Sequence, residues 1–167
     1  MKTTTKLIAR LAVLAAISII LGKFLSIKIE PWGRISFENL TVILAGFAYG
    51  PIAGMLCGVV ADVLGCLVYG YAINPIITLG AAAVGAMAGL FGVRGASKKP
   101  MLWLSVLSAH ILGSCIIKSV GIYVFYSTPL ETLLLRIPFY VASGTLEFII
   151  LSAVNRTRAL RKIIYEI

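Results

Sequence analysis

Asp62, Lys118, Arg136 and Glu147 are the side chains of this sequence best suited to chemistry, and all four stand inside long apolar runs. A charge at the centre of a membrane helix costs about 2.5 to 3.5 kcal/mol on insertion scales, so such a residue faces a partner, a cavity or a ligand. Asp62 and Lys118 each lie roughly 12 Å along a helix from the apolar run's end, at Gly70 and Tyr126, and so share a depth. They either neutralise each other as an ion pair or offer an acceptor and a donor to a bound solute. Arg136, Tyr140, Ser143 and Glu147 fall within about 60° of one another on a helical wheel, a polar stripe that must line the bundle interior because lipid would not tolerate it. Arg34, just ahead of the second apolar run, is a surface arginine or an anion clamp whose planar fork matches a carboxylate. Tyr69, Tyr71, Asn74 and Pro75 form a turn in which hydrogen-bonding groups sit beside apolar rings, suited to a membrane interface or to a flat heterocycle.

Other chemistries lack their material. His110 is the one histidine, readable as a hydrogen-bonded core residue or a ligand contact, and it leaves little for acid–base catalysis. Cys57, Cys66 and Cys115 lie in apolar runs without the paired spacing of a zinc or redox site, as small core residues do. The segment from Gly113 to Ser119 superficially matches a phosphate-binding loop, but Ile117 replaces the glycine before Lys118 and no strand precedes it. Neither an HExxH metal motif nor a nucleophile elbow occurs. No ATP hydrolysis, no other enzymatic activity and no cofactor are expected.

The elements that must position these residues are membrane helices. The chain has 167 residues, of which 60% are hydrophobic and 13% charged, and its mean hydropathy of +1.02 is far too high for a soluble domain of that length. Fifteen Lys and Arg against six Asp and Glu give a formal charge of +9. In a soluble protein that excess would suggest nucleic acid; here it reads as topology. The basic residues cluster at Lys2, Lys6 and Arg10, at Arg94, Lys98 and Lys99, and at Arg156, Arg158, Arg161 and Lys162, regions that the positive-inside rule makes cytoplasmic.

The expected fold is an all-α integral membrane protein, one domain over residues 1–167, with six transmembrane helices near 7–27, 37–49, 52–70, 75–93, 101–126 and 132–154. Its N- and C-termini are both expected in the cytoplasm, and the first run is kept as a span because no small-x-small cleavage site follows it. Span 1 carries Ala9, Ala12 and Ala16 on one smooth face, which packs inside the bundle or docks another membrane subunit. The 28–36 connection holds Trp32, a residue of the interfacial belt or of a lid. Gly54, Gly58, Asp62, Cys66 and Gly70 make a close-packing ridge on span 3, and Ala81, Gly85 and Gly89 make another on span 4.

The segment RISF, a short span ending in GFAYGP, and IAGMLCGVVADVLG with its buried aspartate together resemble the substrate-binding S component of energy-coupling factor (ECF) vitamin transporters, most closely the folate-specific branch. The likeness extends over the whole chain, including its size, its six spans and the alanine stripe. It implies a multi-pass protein of the bacterial plasma membrane that binds folate or a reduced folate from outside the cell. It also implies partners: a membrane scaffold (T) subunit and two cytoplasmic ATPase subunits, with Ala12 and Ala16 matching the small-residue docking motif. Ala9 and Ala15 add small residues to the same helix and blur that face. On this reading a pterin ring would offer its donor edge to Asp62, and the glutamate tail its carboxylates to Arg34, Lys118 or Arg136, with Tyr69, Asn74 and Tyr140 beside them. Riboflavin or biotin are alternative vitamins, and a stand-alone proton-coupled carrier is a rival class. A purely structural membrane protein would explain the glycine ridges but not four ionisable residues within the spans.

Overall fold

The computed structural model describes residues 2–29, 33–93 and 101–157; Trp32, the basic residues Arg94, Lys98 and Lys99, and those from Arg158 onward lie outside them. Six helices run through the described residues: α1 (Lys2–Lys23), α2 (Glu38–Tyr49), α3 (Pro51–Tyr69), α4 (Pro75–Leu90), α5 (Leu102–Tyr126) and α6 (Leu130–Arg156). Four of them, α1, α3, α5 and α6, are long and apolar enough to cross a membrane. α2, with 12 residues, spans only about 18 Å and survives by being enclosed. Asn39, Thr41, Val42, Ile43 and every residue from Ala45 to Tyr49 are buried.

Local chemistry fixes the breaks between helices. Gly50, at φ 97°, makes the sharp corner after α2, and Pro51 follows at the first position of α3, where its missing N–H costs nothing. Gly70 ends α3 in the left-handed conformation at φ 68°. Asn74 caps α4, accepting from the amides of Ile76 at 3.0 Å and Ile77 at 3.3 Å, and its Nδ2 donates to the Gly121 carbonyl at 3.3 Å, tying α4 to α5.

The helices approach closely where they lack side chains. A β-carbon on Gly85 would run into the Gly54 carbonyl, and one on Gly58 into the Ala81 carbonyl, so α3 and α4 meet backbone to backbone. Lipid cannot supply a hydrophobic drive between helices, so this contact is what holds them. The apolar core gathers Ala15, Val42, Ile43, Ala45, Val84, Ala88 and Ala109 around α2 and α4, while large side chains such as Leu67, Val68, Leu134 and Val141 point outward.

Two features depart from the sequence reading. The first helix stops at Lys23 rather than near residue 27, and the connection read as a loop is an antiparallel hairpin, β1 (Ile27–Ile29) paired with β2 (Gly33–Ile35). Alternating isoleucines supply the β-branched residues that suit a strand. Secondly, α5 widens into π-helical geometry over Ala109–Lys118, the stretch that carries His110, Ser114 and Lys118; such widening is frequent at functional sites.

Candidate binding site

The hairpin end of the bundle leads into a cavity of about 290 Å³. β2 lies against α6 at this end. Ser36, Tyr71, Ala72 and Tyr126 form the wall there, and His110 and Ser143 line it farther in. Between them the wall is polar on several sides at once: Glu38 and Asn39 from α2, Asp62 from α3, Lys118 from α5, and Arg136 and Tyr140 from α6. Charges from four helices thus converge in a volume near the lower end of the roughly 300 to 1,000 Å³ usual for small-molecule sites.

Each charge is held in place. Lys118 is 8% exposed; its Nζ donates to Glu38 Oε1 at 2.9 Å and to Asn39 Oδ1 at 3.3 Å. Asn39 in turn donates through Nδ2 to Ser114 Oγ at 3.3 Å, so three side-chain hydrogen bonds bridge α2 and α5. Asp62 Oδ2 accepts from Thr78 Oγ1 at 2.6 Å, which fixes the carboxylate against α4. Arg136 sits 5.5 Å from the centre of the Tyr140 ring, a cation–π contact along one face of α6. At the inner end of the cavity His110 Nε2 lies 2.7 Å from Oε2 of Glu147, which stands below it, both buried, and Gly144 leaves the room in which the imidazole lies. Burial of polar groups is tolerable where they find partners; among the described residues His110 Nδ1 and Glu147 Oε1 have no hydrogen-bond partner.

The family model for the substrate-specific component of ECF transporters matches residues 6–160. The chain belongs to that family. A crystal structure of FolT bound with folic acid is similar to this S component with a TM-score of 0.70 and 27% sequence identity, covering 92% of this chain and 95% of that one. The S component of a bacterial ECF transporter superimposes with a TM-score of 0.68 at 22% identity over the same shares, a likeness of fold. No curated protein sequence matches the chain. Family and fold together make this a multi-pass membrane protein.

The structure brings Asp62, Asn74, Lys118, Arg136 and Tyr140 of this S component into one wall. Asp62 and Lys118 do not form the ion pair considered from their equal depth: Asp62 turns to Thr78 and the lysine takes Glu38. Equal depth said nothing about azimuth, and the N-terminus of α2 brings a carboxylate nearer. Tyr69 is not in the wall; it stacks on Tyr71, ring centres 6.1 Å apart, and meets Phe24 edge-on at 5.7 Å. The left-handed Gly70 breaks the helical phase and hands the wall position to Tyr71. Arg34 belongs to β2, opposite Lys28. Asn74 lines the cavity while also capping α4. The polar stripe of α6 divides, with Arg136, Tyr140 and Ser143 on the cavity and Glu147 below it against His110. Ala9, Ala12 and Ala16 lie exposed on α1, whereas Ala15 and Ser18 turn into the bundle. Sequence reasoning passed over Glu38, which stands one residue after RISF, and Thr78, which stands sixteen after Asp62 on the next helix. Glu38 is an acid in a helix's first turn, a common place for one, and nothing in the spacing tells of its partner.

Proposed function

We propose that this S component binds folate or a reduced folate from outside the cell and delivers it for ATP-driven uptake by a membrane scaffold (T) subunit and two cytoplasmic ATPase subunits. The observation that carries the reading is the juxtaposition of Asp62, Lys118 and Arg136 in one membrane-enclosed cavity, in a chain 27% identical to FolT, whose crystal structure holds folic acid. A pterin edge carries a row of N–H donors, and Asp62 has lone pairs beyond the one given to Thr78. The glutamate tail is anionic and finds Lys118, Arg136 and, from the hairpin, Arg34. Tyr71, Tyr126 and Tyr140 supply aromatic surface for the flat ring and the benzoyl group. Ala12 and Ala16, exposed on α1, form the docking face for the scaffold, and both termini lie in the cytoplasm.

Titration calorimetry on the detergent-purified protein with folate, riboflavin and biotin tests the reading. Saturable binding of folate, unaffected by excess riboflavin or biotin, is the expected result. Tight binding of either other vitamin in place of folate would overturn the substrate assignment while leaving the family membership intact.

A further inference from the structure

Lys118 is neutralised by Glu38 at the cavity wall. Its stem is seated on Gly80, where a β-carbon would lie 2.6 Å from Lys118 Cγ, so the base of the side chain is held against α4. Its partner is differently placed. The Glu38 side chain is 24% exposed against 10% for Lys118, so it is the wetter member of the pair. It stands in the first turn of α2, whose capping residue Phe37 gives no side-chain hydrogen bond, so the helix N-terminus itself is a second favourable place for the carboxylate. The main chain of Glu38 stays anchored meanwhile, because Ser18 Oγ of α1 donates to its carbonyl at 2.5 Å.

An anionic group entering this cavity meets a neutral pair rather than a bare cation, and draws full benefit from Lys118 only if Glu38 swings aside. We propose that Glu38 is a specificity-determining internal competitor: it pairs with Lys118 and yields it to a carboxylate of the ligand. The inference rests on the folate reading and deepens it. Ligands without a carboxylate cannot displace Glu38, so the exchange sets a threshold that favours the whole vitamin over its ring alone.

The test compares folate with a methyl-substituted pterin that lacks carboxylates, using calorimetry on wild-type protein, Glu38→Gln and Glu38→Asp, each also in a Lys118→Met background. Removing the competitor in Glu38→Gln should raise folate affinity about tenfold, the scale of one charge-assisted contact, and leave the pterin unchanged. Glu38→Asp keeps the charge but shortens its reach, so folate should gain less and the pterin nothing; this variant decides the matter if the glutamine protein fails to fold. With Met at position 118 the identity of residue 38 should no longer alter the folate-to-pterin ratio. A loss or no change for folate, an equal change for both compounds, or a ratio that still responds to residue 38 without the lysine would overturn the proposal. Wild-type protein that binds neither compound removes the folate reading and this inference with it, whereas wild-type binding with no response at Glu38 removes the inference alone.

Discussion

Asp62 and Lys118 share a cavity but not a bond, which separates what each contributes. Asparagine at position 62 still accepts from Thr78, and Lys118 keeps Glu38, so Asp62→Asn should leave the ligand-free melting temperature nearly unchanged. It places a donor where a pterin edge also donates, and folate binding should fall by about 2 kcal/mol, roughly 30-fold, measured by calorimetry. A large fall in ligand-free stability with folate affinity preserved would assign Asp62 a structural role alone. Lower in the bundle His110 and Glu147 have no such division of labour. Glu147 is fully buried and 2.7 Å from the imidazole, so Glu147→Ala strands the histidine and opens a void. Thermal unfolding in detergent should show a loss of about 3 kcal/mol or more, and the double variant His110→Leu with Glu147→Met should recover part of it. Of these residues the sequence made Asp62, Lys118 and Glu147 conspicuous, because a charge amid apolar neighbours is its own signal. It did not reveal how they pair, since partners 16 to 80 residues apart are joined by azimuth and not by spacing.

At the scale of elements, the six helices were readable because runs of apolar residues of membrane length admit few other interpretations. Their irregularities were not. The π-helical stretch Ala109–Lys118 leaves no mark, because its polar residues His110, Ser114 and Lys118 recur every four positions, a spacing that an ordinary α-helix shows equally. The hairpin at Ile27–Ile35 is two three-residue strands, too short to show an alternation. The glycine ridges were legible as close-packing faces, and the contact they make lends itself to measurement. Gly85→Ala would push a methyl into the Gly54 carbonyl, and with backbone on both sides nothing flexible can give way. Overpacking of this kind costs about 1 to 3 kcal/mol, so the melting temperature should fall by several degrees. Ala12→Leu adds more atoms than that, but to an exposed face of α1, and should leave the melting temperature alone. Equal losses from the two substitutions would show that the α1 face is packed within the bundle.

For the molecule as a whole, the proposed function separates binding from energy supply. The cavity is built from α1 to α6 together, yet no segment of the chain carries a nucleotide-binding loop. A single small bundle with both its binding wall and its smooth α1 face on the same helix has a simple mechanical consequence. Ser18 of α1 reaches the cavity wall and bonds the Glu38 carbonyl, while Ala12 and Ala16 look outward from the same helix. A scaffold helix seated on the alanines would therefore press on an element that touches the ligand. Replacing Ala12 and Ala16 by tryptophan holds that partner helix away. Lost packing of about 1 to 3 kcal/mol corresponds to a roughly 5- to 150-fold weaker complex, so co-purification with the scaffold and ATPase subunits and folate uptake by reconstituted vesicles should both fall by that order. Folate binding to the isolated protein should survive, because neither alanine lines the cavity. Assembly and uptake at wild-type levels would remove α1 as the docking surface. Assembly retained with uptake lost would place the effect instead in what α1 transmits to Glu38, and Ser18→Ala, which cuts that one tie, should then reproduce it.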